Sequence, residues 1–294
     1  MGLFKTYLQA VRASSTRLEQ SGRDGYDAQF VLMERKGWSK TDWVLHMNLP
    51  IPAADLTQLE EDEEALLKAV PPQYLIGSAE FFGHRFKVSS DTLIPRPETE
   101  ELVALVLKEG AENLPLNVVD IGTGTGAIAI SLALARPQWK LWSVDISIGA
   151  LTVAKENANA LGAEVNFELG DTLLPFEEPR REKEDVEKFD IIVSNPPYIS
   201  KDEWEVMDES VRKYEPETAL FAEENGLAIY KKIAETAPKV LKKTGLLMVE
   251  IGYLQGTAVK EIFEQTFPTR TVEIIKDMSG LERMVYVHAE SETN

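Results

Sequence analysis

The chain has no cysteine among its 294 residues. Disulfides and thiolate metal sites are therefore excluded, and a reducing, cytoplasmic setting is expected. Histidine is almost as scarce. His46, His84 and His288 lie far apart and share no motif, so a histidine mechanism has little support. Apolar runs stay far below the ~18 residues of a membrane span. Residues 1–5 lack the basic-then-apolar layout of a signal peptide. No membrane association is expected. Positive charge is also deficient: 31 Lys and Arg stand against 49 Asp and Glu, for a formal net charge of -18. Coating nucleic acid needs a basic surface, so stable nucleic-acid binding is not expected. Solubility is the simpler meaning of the charge. What is present is an ordinary globular chain, 44% hydrophobic and long enough for a substantial core and two domains.

Residues 1–73 read as a helical domain. Phe4, Tyr7, Leu8, Val11 and Leu18 follow helical spacing, which the stretch 21–25 breaks. Asp27 is placed to cap a second helix carrying Phe30, Val31 and Leu32 and ending near Gly37. Ser39 is placed to cap a third, with Trp43, Val44 and Met47 inward, and Pro50 and Pro52 break it. A fourth carries Leu56, Leu59, Leu66 and Leu67 and stops at Pro71-Pro72. Its acidic run, Glu60, Glu61, Asp62, Glu63 and Glu64, reads as a solvated face rather than a contact for a basic partner. No residue set here looks catalytic, which leaves recognition or packing as the role.

Residues 74–97 read as a β-hairpin linker, from the aromatic and β-prone runs around Tyr74-Leu75-Ile76, Phe81-Phe82 and Phe86-Lys87-Val88. His84 within it reads as structural. Pro95-Arg96-Pro97-Glu98-Thr99-Glu100 then opens a helix whose buried face is Leu102, Val103, Leu105 and Val106. A helix start explains the acids. It does not explain an arginine held between two prolines.

Residues 98–294 form the third segment. From about 117 strand and helix alternate, the mark of an α/β parallel sheet. Strands are expected near 117–121, 141–145, 165–169, 189–194, 245–251, 271–275 and 282–288, with helices near 126–136, 148–161, 226–241 and 254–266. The last two strands are too close for a crossover and are expected to be antiparallel neighbours. The mixed-charge segment 177–188 reads as an exposed loop and 289–294 as a frayed tail.

Two stretches carry chemistry. Val118-Val119-Asp120-Ile121-Gly122-Thr123-Gly124-Thr125-Gly126-Ala127 is a strand, a glycine loop and a helix start. Its glycines allow a tight turn and close approach to a ligand. The next strand ends in Asp145, about 20 residues on, where an acid meets ribose hydroxyls. Loop and acid together indicate a nucleoside, and fit a nicotinamide cofactor or S-adenosylmethionine. Asp120 is positioned to help bind a cationic methionine end. Asp171, beside Thr172 after the third strand, can accept from an adenine amine or simply cap a turn.

The deciding stretch is Phe189-Asp190-Ile191-Ile192-Val193-Ser194-Asn195-Pro196-Pro197-Tyr198. Its apolar run is that of a strand covered on both faces. Pro196 and Pro197 fix the exit and carry no N–H. The Asn195 side-chain oxygen and the Pro196 carbonyl can each accept a hydrogen from a planar NH2 group, while the Tyr198 face stacks beside it. Such a clamp positions a poor nucleophile toward an electrophile. In an open α/β sheet it shares one crevice with the glycine loop, Asp145 and Asp171. Hydride transfer has no use for it, which favours S-adenosylmethionine.

Over essentially its whole length the chain resembles the PrmC/HemK family of protein-(glutamine-N5) methyltransferases. The resemblance rests on Gln73-Tyr74-Leu75-Ile76-Gly77, Phe81-Phe82-Gly83, Leu93-Ile94 with the Pro95 to Glu100 string, and the glycine loop. Asn195-Pro196-Pro197-Tyr198, Tyr214-Glu215-Pro216, Ala219-Leu220 and Glu250-Ile251-Gly252 complete it. It implies a seven-stranded, mostly parallel Rossmann-like methyltransferase sheet behind a helical substrate-recognition domain. It further implies that the acceptor is the glutamine of the Gly-Gly-Gln motif in class 1 peptide chain release factors. On that resemblance Gly122, Thr123, Gly124, Thr125, Gly126, Asp145, Asp171, Thr172 and Asn195 contact the cofactor, and Asn195, Pro196, Pro197 and Tyr198 hold the glutamine. No metal is expected, and a monomer is. The chain departs from the family at Glu223 and Glu224, where a small glycine-containing turn is common, before Gln73, where basic residues are common, and at Thr172, where an aromatic is common. The alternatives are glutamine methylation of a ribosomal protein, adenine-N6 methylation of nucleic acid, for which this acidic chain shows no channel, and a non-catalytic binding module.

Overall fold

The computed structural model describes residues 6–177 and 188–289. Most of the mixed-charge segment 177–188, the tail after 289, and Phe4 lie outside the described residues. Two compact units result: one takes residues up to Ser78 together with Met207–Tyr214, the other Ala79–Val206 and the chain from Glu215 on.

In the first unit α1 (Tyr7–Gln20), α2 (Tyr26–Lys36), α3 (Lys40–His46), α4 (Ala53–Leu67) and α5 (Pro72–Ile76) enclose a core that includes Leu18, Val31, Leu32, Leu59 and Leu66. Local chemistry sets the ends. Thr6 caps α1, left-handed Gly37 closes α2, and Ser39 with Asp42 makes a reciprocal capping box on α3. Three expectations change. Asp27 sits inside the first turn of α2, whose N-cap is Gly25. Val44 is exposed beside buried Trp43. Tyr74, Leu75 and Ile76 are helical: Pro72 occupies the first turn, where its missing N–H is harmless, and Gly77 at φ 74° ends it.

The acidic run is not a uniform solvated face. Asp62 and Glu63 are buried. Arg35 donates to both oxygens of Asp62 at 2.7 Å, and Arg17 forks onto Glu63. Burial is the largest single influence and works against the Glu63 charge, but the Arg17 hydrogen bonds, the Arg17 charge and Ser14 together hold the carboxyl below its usual range. A lowered folded-state pKa means that this stabilisation is present above the unfolded carboxylate range and is lost as pH falls through the folded value. Removing one partner of a fully buried pair costs about 3–5 kcal/mol. Arg35 is partly solvated, so Arg35→Ala in the full chain is expected to cost roughly 2 kcal/mol in thermal unfolding. An unchanged Tm would show the pair to be idle.

A hairpin follows, β1 (Ser78–Phe81) and β2 (His84–Lys87), which belongs to the second unit from Ala79 on. Its turn residues Phe82 and Gly83 both have positive φ, 49° and 77°, as a primed two-residue turn requires. After α6 (Pro97–Glu109) come β3 (Asn117–Ile121), α7 (Ala127–Ala135), β4 (Lys140–Asp145), α8 (Ile148–Leu161), β5 (Val165–Leu169) and β6 (Phe189–Ser194). The chain continues through α9 (Glu209–Tyr214, in the first unit), α10 (Glu217–Leu220), α11 (Glu223–Gly226), α12 (Ala228–Val240), β7 (Leu241–Glu250), α13 (Gly256–Thr266), β8 (Val272–Lys276) and β9 (Glu282–Val287). The seven-stranded sheet runs β5-β4-β3-β6-β7-β9-β8. β5 to β7 are parallel; β9 pairs antiparallel with both β7 and β8.

Alternation along the strands divides the core. Val118, Ile191, Val193 and Met248 face one cluster with Leu102, Val106 and Ile128. Val119, Ile192, Leu247 and Val249 face another with Tyr230, Val259 and Phe263. Each fully buried side chain of this size contributes about 1.5–3 kcal/mol, so the register of β6 is firmly set. β3 is flanked by β4 on one side and β6 on the other. This is the switch point of strand order, and it opens a crevice at the carboxyl ends of these strands. Among the described residues no helix is long and apolar enough to cross a membrane.

Candidate active site

That crevice holds a cavity with about 1020 Å³ of empty space, part of it open to solvent. Gly122, Thr123, Gly124 and Thr125 line it from the end of β3, Asp145 from β4, Asp171 and Thr172 from β5, and Asn195, Pro196 and Pro197 from β6. Gly122 and Gly124 have φ of 80° and 53°, the left-handed region open to glycine. The Asp145 carboxylate organises the loop. Oδ2 accepts from Gly124 N at 2.9 Å and Oδ1 from Ser147 N at 2.8 Å. Burial raises its pKa against these backbone hydrogen bonds. A carboxylate has about four lone-pair sites, so acceptor capacity remains for a diol.

Thr172 has φ 49°, and its buried hydroxyl oxygen has no hydrogen-bond partner. A buried orphan polar atom at a cavity wall is what a ligand's polar edge satisfies. Asp171 accepts from Lys232 at 2.7 Å. A nucleoside therefore fits the wall: backbone N–H groups at the glycine loop, a carboxylate for ribose, and an unsatisfied hydroxyl further on. Among the described residues no cluster of His, Asp or Glu could hold a metal ion.

Three expected site residues lie elsewhere. Asp120 is buried beneath the glycine loop and does not line the cavity. Ser143 Oγ donates to it at 3.0 Å and pairs with Thr123 Oγ1 at 2.8 Å. Burial pushes the Asp120 carboxyl up to about 8 despite the Ser143 hydrogen bond. Gly126 caps α7 at φ 82° behind the wall. Tyr198 also leaves the cavity. Its ring packs against the core and its hydroxyl stands 3.5 Å from Glu250 Oε1. Its carbonyl accepts from Gln255 Nε2 at 2.8 Å. A side chain at Gly226, φ 82°, would overlap that carbonyl oxygen, which explains the glycine closing the Glu223-Glu224-Asn225 turn. Tyr198 thus anchors the loop, and its ring does not line the cavity in this structure.

At the clamp itself, Asn195 Nδ2 donates to Thr99 Oγ1 at 2.9 Å. Its Oδ1 makes no hydrogen bond to the described residues and is left as an acceptor beside Pro196 at the wall. The residues expected to form a nucleoside subsite and those expected to accept an amide therefore line one cavity.

Comparison with known proteins matches this arrangement. The profile of a methyltransferase domain matches residues 114–284, and that of the PrmC N-terminal domain matches residues 9–77. The release factor glutamine methyltransferase of Enterococcus faecalis is 50% identical over 280 residues, covering 95% of this chain and 98% of that protein. That of Lactococcus lactis is 45% identical, covering 96% and 99%.

The chain belongs to the release factor glutamine methyltransferase family.

A solved methyltransferase structure from Pyrococcus furiosus shares the fold, with a TM-score of 0.51 at 17% identity over 79% of this chain and 99% of that one. The enzyme's donor is S-adenosylmethionine. Sequence reasoning left several residues of this methyltransferase without a role. Arg96, flagged but unexplained, lines the cavity and binds Glu215, whose other oxygen accepts from Ile94 N at 3.1 Å. That pair pins the wall segment containing Leu93 and Pro95. The proline-flanked arginine was its visible half. Thr99 read as part of a helix start, and no signal marked Glu250 as its partner 151 residues away.

Proposed function

We propose that this chain methylates the side-chain amide nitrogen, N5, of the glutamine in the Gly-Gly-Gln motif of class 1 peptide chain release factors. The observation that carries the reading is the free Asn195 Oδ1 beside Pro196, in the same cavity as the glycine loop and Asp145. S-adenosylmethionine, when bound, supplies a methyl group made electrophilic by its sulfonium. Every other requirement falls to the chain.

The glycine-loop N–H groups, Asp145 and the Asp171-Thr172 corner hold the donor. Asn195 Oδ1 and the Pro196 carbonyl each accept one amide hydrogen and turn the nitrogen toward the methyl. An amide nitrogen is a poor nucleophile because its pair is delocalised, and the two acceptors favour the charge that develops on attack. Positioning of this kind can supply roughly 7–11 kcal/mol. No general base is needed before attack, because the methylated nitrogen is acidic enough to lose its proton afterwards. The helical first unit serves to recognise the protein acceptor, and a release-factor acceptor goes with a cytoplasmic location.

Methyl transfer from labelled S-adenosylmethionine tests the acceptor class. The acceptors are purified release factor, the same factor with its Gly-Gly-Gln glutamine replaced, a ribosomal protein extract, and DNA. Label on intact release factor alone is expected. Label on DNA would replace the reading with adenine methylation, and label on a ribosomal protein alone would replace it with that acceptor.

A further inference from the structure

An asparagine clamp has a weakness. Its carboxamide is nearly symmetric in shape, and turned over it presents NH2 where the substrate needs an oxygen. Beside Asn195 the structure holds two buried groups that the reaction itself does not use. Thr99, on α6, is 5% exposed, and Glu250, at the end of β7, is 2% exposed. Thr99 Oγ1 donates to Glu250 Oε2 at 2.7 Å, and Asn195 Nδ2 donates to Thr99 Oγ1 at 2.9 Å.

We propose that Thr99 and Glu250 are positioning residues that lock the Asn195 amide with its oxygen toward the substrate. The inference rests on the amide-acceptor reading above. A carboxylate only accepts, so the Thr99 proton must point to Glu250. The Thr99 oxygen is then left as an acceptor, and only the NH2 end of Asn195 can satisfy it. Direction is thus passed from a buried charge, through one hydroxyl, to the reacting clamp.

Other groups hold Glu250 in place. Tyr230, on α12, donates to its backbone carbonyl at 2.8 Å, and Tyr198 approaches its Oε1. Arg283, on β9, faces it with a positive charge and is itself paired to Asp277; Glu98, on α6, adds a negative one. Burial, with a smaller contribution from Glu98, raises the Glu250 carboxyl to about 7, against the Thr99 hydrogen bond and Arg283. Once protonated, Glu250 can donate to Thr99. The Thr99 proton is then free to point at Asn195, and the turned-over amide becomes equally well bonded. Two NH2 groups would then meet at the clamp. The sign follows: the lock is set above the Glu250 pKa and released as pH falls through it.

The test compares wild type with T99V, T99S and E250Q in the full-length enzyme. Two readouts are taken against pH: kcat/KM for release factor, and the NMR signals of the Asn195 side-chain NH2, identified by their loss in N195D. Wild type is expected to lose rate below a limb near 7, with the NH2 signals shifting over the same range. T99V is expected to lose about 10²-fold in kcat/KM, to lose the limb, and to keep its S-adenosylmethionine affinity. T99S is expected to restore most of the rate, and E250Q to flatten the limb. Thermal unfolding checks that each variant is folded. Should T99V not fold, the E250Q profile and the wild-type NH2 titration decide. An acid limb unchanged in E250Q, NH2 signals that do not titrate in wild type, or a folded T99V as active as T99S would each overturn the proposal. If wild type transfers no methyl to release factor at any pH, the functional reading fails instead. The NH2 titration still judges the lock.

Discussion

Replacing Asn195 by alanine is expected to lower kcat/KM for the protein acceptor by about 10³-fold, with much less change in S-adenosylmethionine affinity. Loss of one preorganised transition-state contact typically costs 10²–10³ in rate. Here the same atom also orients the nucleophile, so misplacement adds to the loss. The Pro196 carbonyl supplies only the second of the two acceptors, so loss of Asn195 Oδ1 leaves one amide hydrogen unheld. The fold should survive, since Asn195 lies beyond β6 and the strand's buried residues Ile191, Ile192 and Val193 are untouched. Steady-state transfer and a calorimetric cofactor titration measure the two effects separately. A mutant within tenfold of wild type would remove Asn195 from the chemistry.

The second large effect falls on the donor site. Asp145→Ala is expected to raise the Kd for S-adenosylmethionine by about 10²–10³, which corresponds to roughly 2.7–4.1 kcal/mol. Two losses combine. Gly124 N and Ser147 N lose their acceptors at 2.9 and 2.8 Å, and each unsatisfied N–H costs about 1–3 kcal/mol where it stays shielded from water. The ribose loses its carboxylate as well. Asp145→Asn should fall between the two, since it keeps one acceptor and turns the other into a donor facing an N–H. Unchanged affinity in Asp145→Ala would place the nucleoside elsewhere in the cavity.

What the sequence disclosed of this site follows from how local each signal is. Strand β6 was readable because Ile191-Ile192-Val193 is buried on both faces and needs no alternation. The glycine loop and Asp145 were readable because consecutive segments of a βαβ unit bring them together. Thr99 and Glu250, or Arg96 and Glu215, meet across 151 and 119 residues, and nothing local announces such a pairing. The acidic run on α4 misled for a geometric reason. Five consecutive residues span more than one turn of 3.6, so some must point inward, and Asp62 and Glu63 do. The direction of Tyr198 was not legible because a residue leaving a strand can turn either way, and its ring packs among core side chains beside Glu250. The helical turns between 209 and 226 were missed because four to six residues show no periodicity. One of them is built from consecutive positive-φ residues, Glu224, Asn225 and Gly226.

The central claim is that the acceptor atom is a glutamine amide nitrogen held by Asn195. It is tested most directly by tandem mass spectrometry of release factor after incubation with the enzyme and S-adenosylmethionine. The account predicts one added methyl, located on the side-chain nitrogen of the Gly-Gly-Gln glutamine and absent when the enzyme carries Asn195→Ala. A methyl on any other residue, or an equal yield from the Asn195→Ala enzyme, would contradict it.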